Sequence, residues 1–187
     1  MEENINMEQE LELKMYFFVI YQLTGIAKAI QSGHAALRYA RRYAETNPMV
    51  WDFVDNHQTW IILDGGTTND EFDITGKPIG TLNQIGDELS DNEIDFTYFR
   101  EPDLNNSLTS LCFIVDERVF NKKDYPDFVN YLLKNGVYSN SEIIEIRMMG
   151  DDELIQRFST SYKEWVRLVG GVKNVFLRDL IKDKELA

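Results

Sequence analysis

The sequence predicts an α/β fold: a four-stranded mixed sheet flanked by helices, in the order βαβαββ, with an α-helical C-terminal extension. Three observations carry this. The run Tyr16–Tyr21 (YFFVIY) is continuous, aromatic and β-branched, as a strand buried on both faces requires. A helical pattern follows it directly. Two further apolar segments, WIIL and SLTSLCFIV, then alternate with loop-like and helical stretches.

Taken in order, residues 1–13 carry Glu2, Glu3, Glu8, Glu10 and Glu12 and read as an acidic tail. The first strand ends at the turn Thr24-Gly25. In the helix after it, Ala27, Ile30, Ala35, Leu37 and Ala40 are expected to pack on the sheet. Lys28, Gln31, His34 or Ala35, and Arg38 follow three- and four-residue spacing along one side. Asn47-Pro48 is expected to end the helix, and Met49–His57 reads as a short helix or ordered loop.

Trp60–Leu63 forms the second strand, closed by Asp64-Gly65-Gly66. A loop follows, with a small hairpin around Thr75-Gly76. Thr81–Leu89 is a second crossover helix with Leu82, Ile85 and Leu89 on one face. Asp95–Arg100 and Ser107–Val115 are the third and fourth strands, joined tightly by Glu101–Asn106. The α/β domain is thus expected over residues 14–119 and the helical extension over 120–187. In that extension Pro126–Lys134 reads as a helix with proline near its first turn. Glu142–Met148 is a strand or a helix start. One long helix runs from Asp151 to Val169, broken by Gly170-Gly171, and a last helix covers Val172–Ile181.

Nineteen basic against 32 acidic residues give a net charge of −13. Such a field repels a polyanion over the whole approach, so nucleic acid can be met only through a local basic patch. The single cysteine, Cys112, lies in an apolar run. It excludes a disulfide framework and a cysteine-built metal site, and it fits a reducing compartment. The first residues have no basic or apolar region, so no signal peptide is expected, and the longest apolar run is far short of the about 20 residues that span a bilayer. The expectation is a cytoplasmic protein with no membrane partner and no call for a metal or cofactor.

The segment AIQSGHA (Ala29–Ala35) after the first strand resembles the first strand and helix of the type-2 peptidyl-tRNA hydrolase family, with its A-A-Q-x-x-H-A motif. EPDLNNSLTSL stands where that family has D-x-G-x-T-Q, with Asp103 at the aspartate and Ser107 at the threonine. The resemblance covers about residues 14–119. The chain departs from the pattern in three places. Ala27 holds the family's lysine position, with Lys28 one residue along. Asn105 replaces the glycine, and Leu108 the glutamine. The phrase EPDLNNSLT looks like a divergent branch of the fold found in phage and bacterial proteins.

The candidates divide as follows. A lone histidine among small helical residues is more often buried and hydrogen-bonded, and that is the first expectation for His34. The alternative is a ligand-facing donor or general acid/base. Lys28, beside a helix start, is a candidate phosphate ligand, and so is Arg38. Asp103 either bonds its own backbone or orients a water. Asn105, Asn106, Ser107 and Thr109 would then offer hydrogen bonds to a ligand, with Ser107 and Thr109 on one strand face. Trp51 and Trp60 are expected in the core. His57 has no chemical role assigned, and Asp64-Gly65-Gly66 is a weak phosphate-loop signal.

The resemblance implies an esterase that frees a peptide from the terminal ribose of tRNA. Asp103 would orient water, Ser107 or Thr109 would hold it or the oxyanion, and His34, Gln31 and Lys28 would position the adenosine end. Two other readings stand beside it. One is a binding module that holds a nucleotide-derived ligand uncleaved, for which phage counter-defence is a suitable setting. The other is an interaction protein whose C-terminal helices meet a homodimer mate or protein partner.

Overall fold

The computed structural model describes residues 10–187, so residues 1–9 of the expected acidic tail lie outside it. The chain divides into two compact units. Among the described residues, one comprises 10–91, 95–117 and 185–187, the other 92–94 and 118–184.

The first unit is a four-stranded mixed sheet in the order β2-β1-β4-β3. Strand β1 (Leu13–Ile20) runs parallel to β2 (Thr59–Gly66) and antiparallel to β4 (Ser107–Asp116), and β3 (Thr97–Glu101) closes the other edge antiparallel to β4. Phe17, Phe18 and Val19 are fully buried, as the unbroken apolar run requires of a central strand. Helix α1 (Gly25–Tyr43) crosses from β1 to β2, and α3 (Thr81–Asp91) crosses back to β3. The two crossovers run in opposite directions along the sheet, which places the helices on opposite faces. Two bulges shape the sheet. In β2, Gly65 is the unpaired residue between Val19↔Asp64 and Ile20↔Gly66. A Cβ there would lie 2.6 Å from Leu82 Cδ1 and 3.1–3.2 Å from Val19 O and Phe18 Cβ, so any side chain would force Leu82 aside and crowd β1.

Several expectations are corrected. The face of α1 that meets the sheet is Gln31, Ser32, Ala35 and Tyr39, whereas Ile30 and Leu37 are exposed. A polar residue takes the core face because its hydrogen bonds are met there. Helix α1 ends at Tyr43, four residues before Asn47, and Pro48 instead precedes α2 (Met49–Asp52). A π-turn (Phe53–His57) follows α2. Trp51 and Trp60 are exposed rather than core, although Trp60 packs its ring 4.8 Å from Phe17. The hairpin near Thr75-Gly76 is present: Phe72 bridges Pro78, and the Asp73 amide donates to Lys77 O at 2.8 Å. The last residues return to the sheet, where Leu186 bridges Leu63.

The second unit is helical. Helices α5 (Phe128–Asn135), α6 (Asn140–Met148), α7 (Asp151–Arg157), α8 (Ser159–Leu168) and α9 (Val172–Leu180) follow the short α4 (Glu117–Phe120). Its core gathers Phe128, Leu132, Ile146, Leu154, Trp165 and Val169. The expected single helix over 151–169 is two, because Phe158 (φ −114°, ψ 38°) leaves the helical region. Residues 142–148 are helix rather than strand, and a capping box of Ser139 and Glu142 starts them. Pro126 lies outside α5, ahead of its N-cap Asp127. Arg178 is buried and donates to the carbonyls of Arg118 and Tyr125 and to Asp127, while the Trp165 indole donates to Pro126 O at 2.8 Å. No helix among the described residues is long and apolar enough to cross a membrane.

Candidate functional site

In sheets with helical crossovers, ligands collect outside the carboxyl ends of the parallel strands. Here that edge is formed by the end of β1, the first turns of α1, the end of β3 and the turn into β4. The sequence candidates fall along it and along the exposed flank of α1.

Three residues form a hydrogen-bonded chain there, buried at Thr109 and Gln31 and half-buried at Glu101. The Thr109 hydroxyl donates to Gln31 Oε1 at 2.7 Å, and Gln31 Nε2 donates to Glu101 Oε2 at 2.7 Å. A bulge makes this geometry. Phe99 pairs with Ser110 and Arg100 with Leu108, so Thr109 is the extra residue of β4. Its hydroxyl also lies 3.2 Å from Phe99 O. The Glu101 carboxylate has a second task, accepting the Asp103 amide at 3.4 Å at the start of a 3-10 turn, Pro102–Leu104. Gln31 is therefore a positioned core group, and both ends of its amide are engaged.

The EPDLNNS connection is closed on itself. Asn105 (φ 53°) and Asn106 (φ 59°) are both left-handed, which asparagine tolerates better than most residues. The Ser107 hydroxyl donates to Leu104 O at 2.6 Å. Arg100 forms a two-pronged ion pair with Asp70 at 2.7 and 2.8 Å and reaches Asn106 O at 3.0 Å. Asn83 adds a 2.7 Å hydrogen bond to Asp70. The Arg100 hydrogen bonds hold the Asp70 carboxyl below its usual range. Among the described residues, the exposed Asp103 carboxylate has no hydrogen-bond or ion-pair partner of its own.

The His34 expectation is overturned. The residue is exposed, not buried in the core, and its ring stacks on Phe99 with centroids 4.4 Å apart and planes inclined by 22°. The Arg38 guanidinium lies 4.7 Å from the same Phe99 centroid and donates to Tyr98 O at 3.1 Å. Helical spacing places His34 and Arg38 one turn apart, and β3 supplies the ring that both lie against. Lys28 is half-buried in the first turn of α1, which Thr24 caps. Among the described residues it makes no ion pair.

The structure thus groups Gln31 with Thr109, and His34 with Arg38. It does not hydrogen-bond His34, Asp103 and Ser107 to one another. Sequence reasoning missed Glu101, which anchors both Gln31 and the turn, and Phe99, which carries the His34–Arg38 pair. Alternation within DFTYFRE puts Phe99 and Glu101 on one strand face, and that pattern was the available signal. Asp64-Gly65-Gly66 is internally satisfied: Asp64 Oδ1 accepts the Gly66 amide at 2.7 Å, and Thr81 donates to Gly65 O at 2.9 Å. No family model matches the chain, and no curated protein is significantly similar to it.

Proposed function

We propose that the chain is a nucleotide-binding module on a type-2 peptidyl-tRNA hydrolase-like scaffold, holding its ligand without cleaving it. The observation that carries this reading is the exposed His34 ring stacked on Phe99, with Arg38 beside it. Such a platform offers a flat face to a base and a cation to a phosphate, and stacking of this kind is worth about 1–3 kcal/mol per base. Lys28, near the capped start of α1, adds a second cation. A small anion needs only a few local cations, so the global −13 charge is less adverse to it than to a whole tRNA.

Hydrolysis is less well supported. A nucleophile or bound water needs a base within hydrogen-bond reach. The Ser107 proton is directed to Leu104 O, and the Gln31 amide is engaged at both ends. One observation still favours the ester hydrolase: the exposed Asp103 carboxylate is free to orient water. Calorimetric titration with adenine nucleotides and cyclic nucleotides, followed by chromatography of the ligand, tests the two together. Saturable binding with the ligand recovered intact supports the module. Turnover of a peptidyl-tRNA mimic that is lost in Asp103→Asn would replace it with the hydrolase.

A further inference from the structure

Away from that platform, three side chains from two segments distant in sequence converge at the amino end of the parallel strand pair. Glu10, Asp52 and His57 place one ligand atom each so that all lie within 4.8 Å of one another. The backbone explains the meeting. The parallel register sets Lys14 beside Thr59, so the chain four residues before Lys14 runs alongside the π-turn. Within that segment Asp52 and His57 are five residues apart. On an α-helix the fifth residue lies about 140° around the axis. The wider π-turn over Phe53–His57 closes that angle and brings His57 Nε2 to 3.6 Å from Asp52 Oδ1.

The second observation is the state of that nitrogen. His57 Nε2 is fully buried and has no hydrogen-bond partner among the described residues, the Asp52 carboxylate at 3.6 Å lying beyond hydrogen-bond reach. Buried polar atoms are nearly always satisfied, and an orphan calls for a partner such as an ion. The neighbouring carboxylate is held ready: Asn56 Nδ2 donates to Asp52 Oδ1 at 2.8 Å, the kind of outer hydrogen bond that orients a metal ligand.

We infer that Glu10, Asp52 and His57 form a binding site for a divalent transition metal of the zinc type. The donor set, one imidazole and two carboxylates, suits such an ion better than magnesium or calcium, which favour all-oxygen shells. Zinc arms of about 2.0–2.2 Å set tetrahedral ligand atoms about 3.4 Å apart, close to the His57–Asp52 spacing, and three protein ligands leave a fourth position for water. The ion would pin the chain ahead of β1 to the π-turn.

The test is titration of Zn2+ into the full chain, first stripped with chelator, by isothermal titration calorimetry and thermal unfolding. His57→Ala and Glu10→Gln are run in parallel. The expected result is one ion per chain, a raised unfolding midpoint, and affinity lower by at least about tenfold in each variant. Glu10 is exposed ahead of β1, so Glu10→Gln keeps the fold and decides the matter if His57→Ala does not fold. Absence of saturable one-to-one binding would overturn the site. So would affinity unchanged in Glu10→Gln, or Ca2+ and Mg2+ binding as tightly as Zn2+.

Discussion

The Thr109 hydroxyl donates a 2.7 Å hydrogen bond to the Gln31 side-chain carbonyl across the α1–β4 packing, and both side chains are buried. Removing the donor while keeping its shape leaves that carbonyl without a partner. Thr109→Val is expected to destabilise the protein by about 1–3 kcal/mol. Urea unfolding would show this as a lower midpoint at unchanged slope. An unaltered midpoint would mean that water replaces the hydroxyl.

The Arg100–Asp70 pair fixes the EPDLNNS connection against the loop before α3. The folded Asp70 carboxyl is held below its ordinary value. Its contribution is therefore present above the unfolded pKa and is lost as pH falls through the folded one. Because the Asp70 side chain is 58% exposed, the pair is worth only about 0.5 kcal/mol. The stability difference between wild type and Asp70→Asn should be constant from neutral pH to about pH 5 and shrink below about pH 4.

Cys112 is fully buried under α1, and Thr97 Oγ1 lies 3.3 Å from its sulfur. Burial pushes the thiol up to about 12. A thiol so placed is not a nucleophile. It should stay unmodified by a thiol reagent at pH 8 in the native protein and react fully once the chain is unfolded.

In the helical unit, Arg178 is 3% exposed and satisfies two backbone carbonyls and Asp127. Burial raises the Asp127 carboxyl, but its hydrogen bonds to Lys122 and Arg178 outweigh this and hold it below its usual value. Arg178→Ala takes the donor from both carbonyls, leaves Asp127 with Lys122, and opens a space beside Trp165. The expected cost is on the order of 2–4 kcal/mol. Tryptophan fluorescence during unfolding would report it.

Much of the fold was legible because its signals are local. The YFFVIY run could only be a central strand, and Gly65-Gly66 marked the end of β2. The site was less legible because its groups are placed by long-range register. Nothing in AIQSGHA says that Gln31 rather than Ile30 faces the sheet; the deciding partners, Glu101 and Thr109, lie 70 and 78 residues away. His34 was misjudged for the same reason, since the ring it rests on belongs to β3. The break at Phe158 was invisible because apolar periodicity continues through it.

The most direct test of the central claim is calorimetric titration of adenine nucleotides into wild type, His34→Ala and Arg38→Ala. Both side chains contact Phe99 from the surface, so each change should cost no more than about 1.5 kcal/mol in stability and leave the fold intact. The account expects saturable wild-type binding, affinity at least about tenfold weaker in each variant, and ligand recovered unchanged. No nucleotide binding, or binding indifferent to both substitutions, would contradict it.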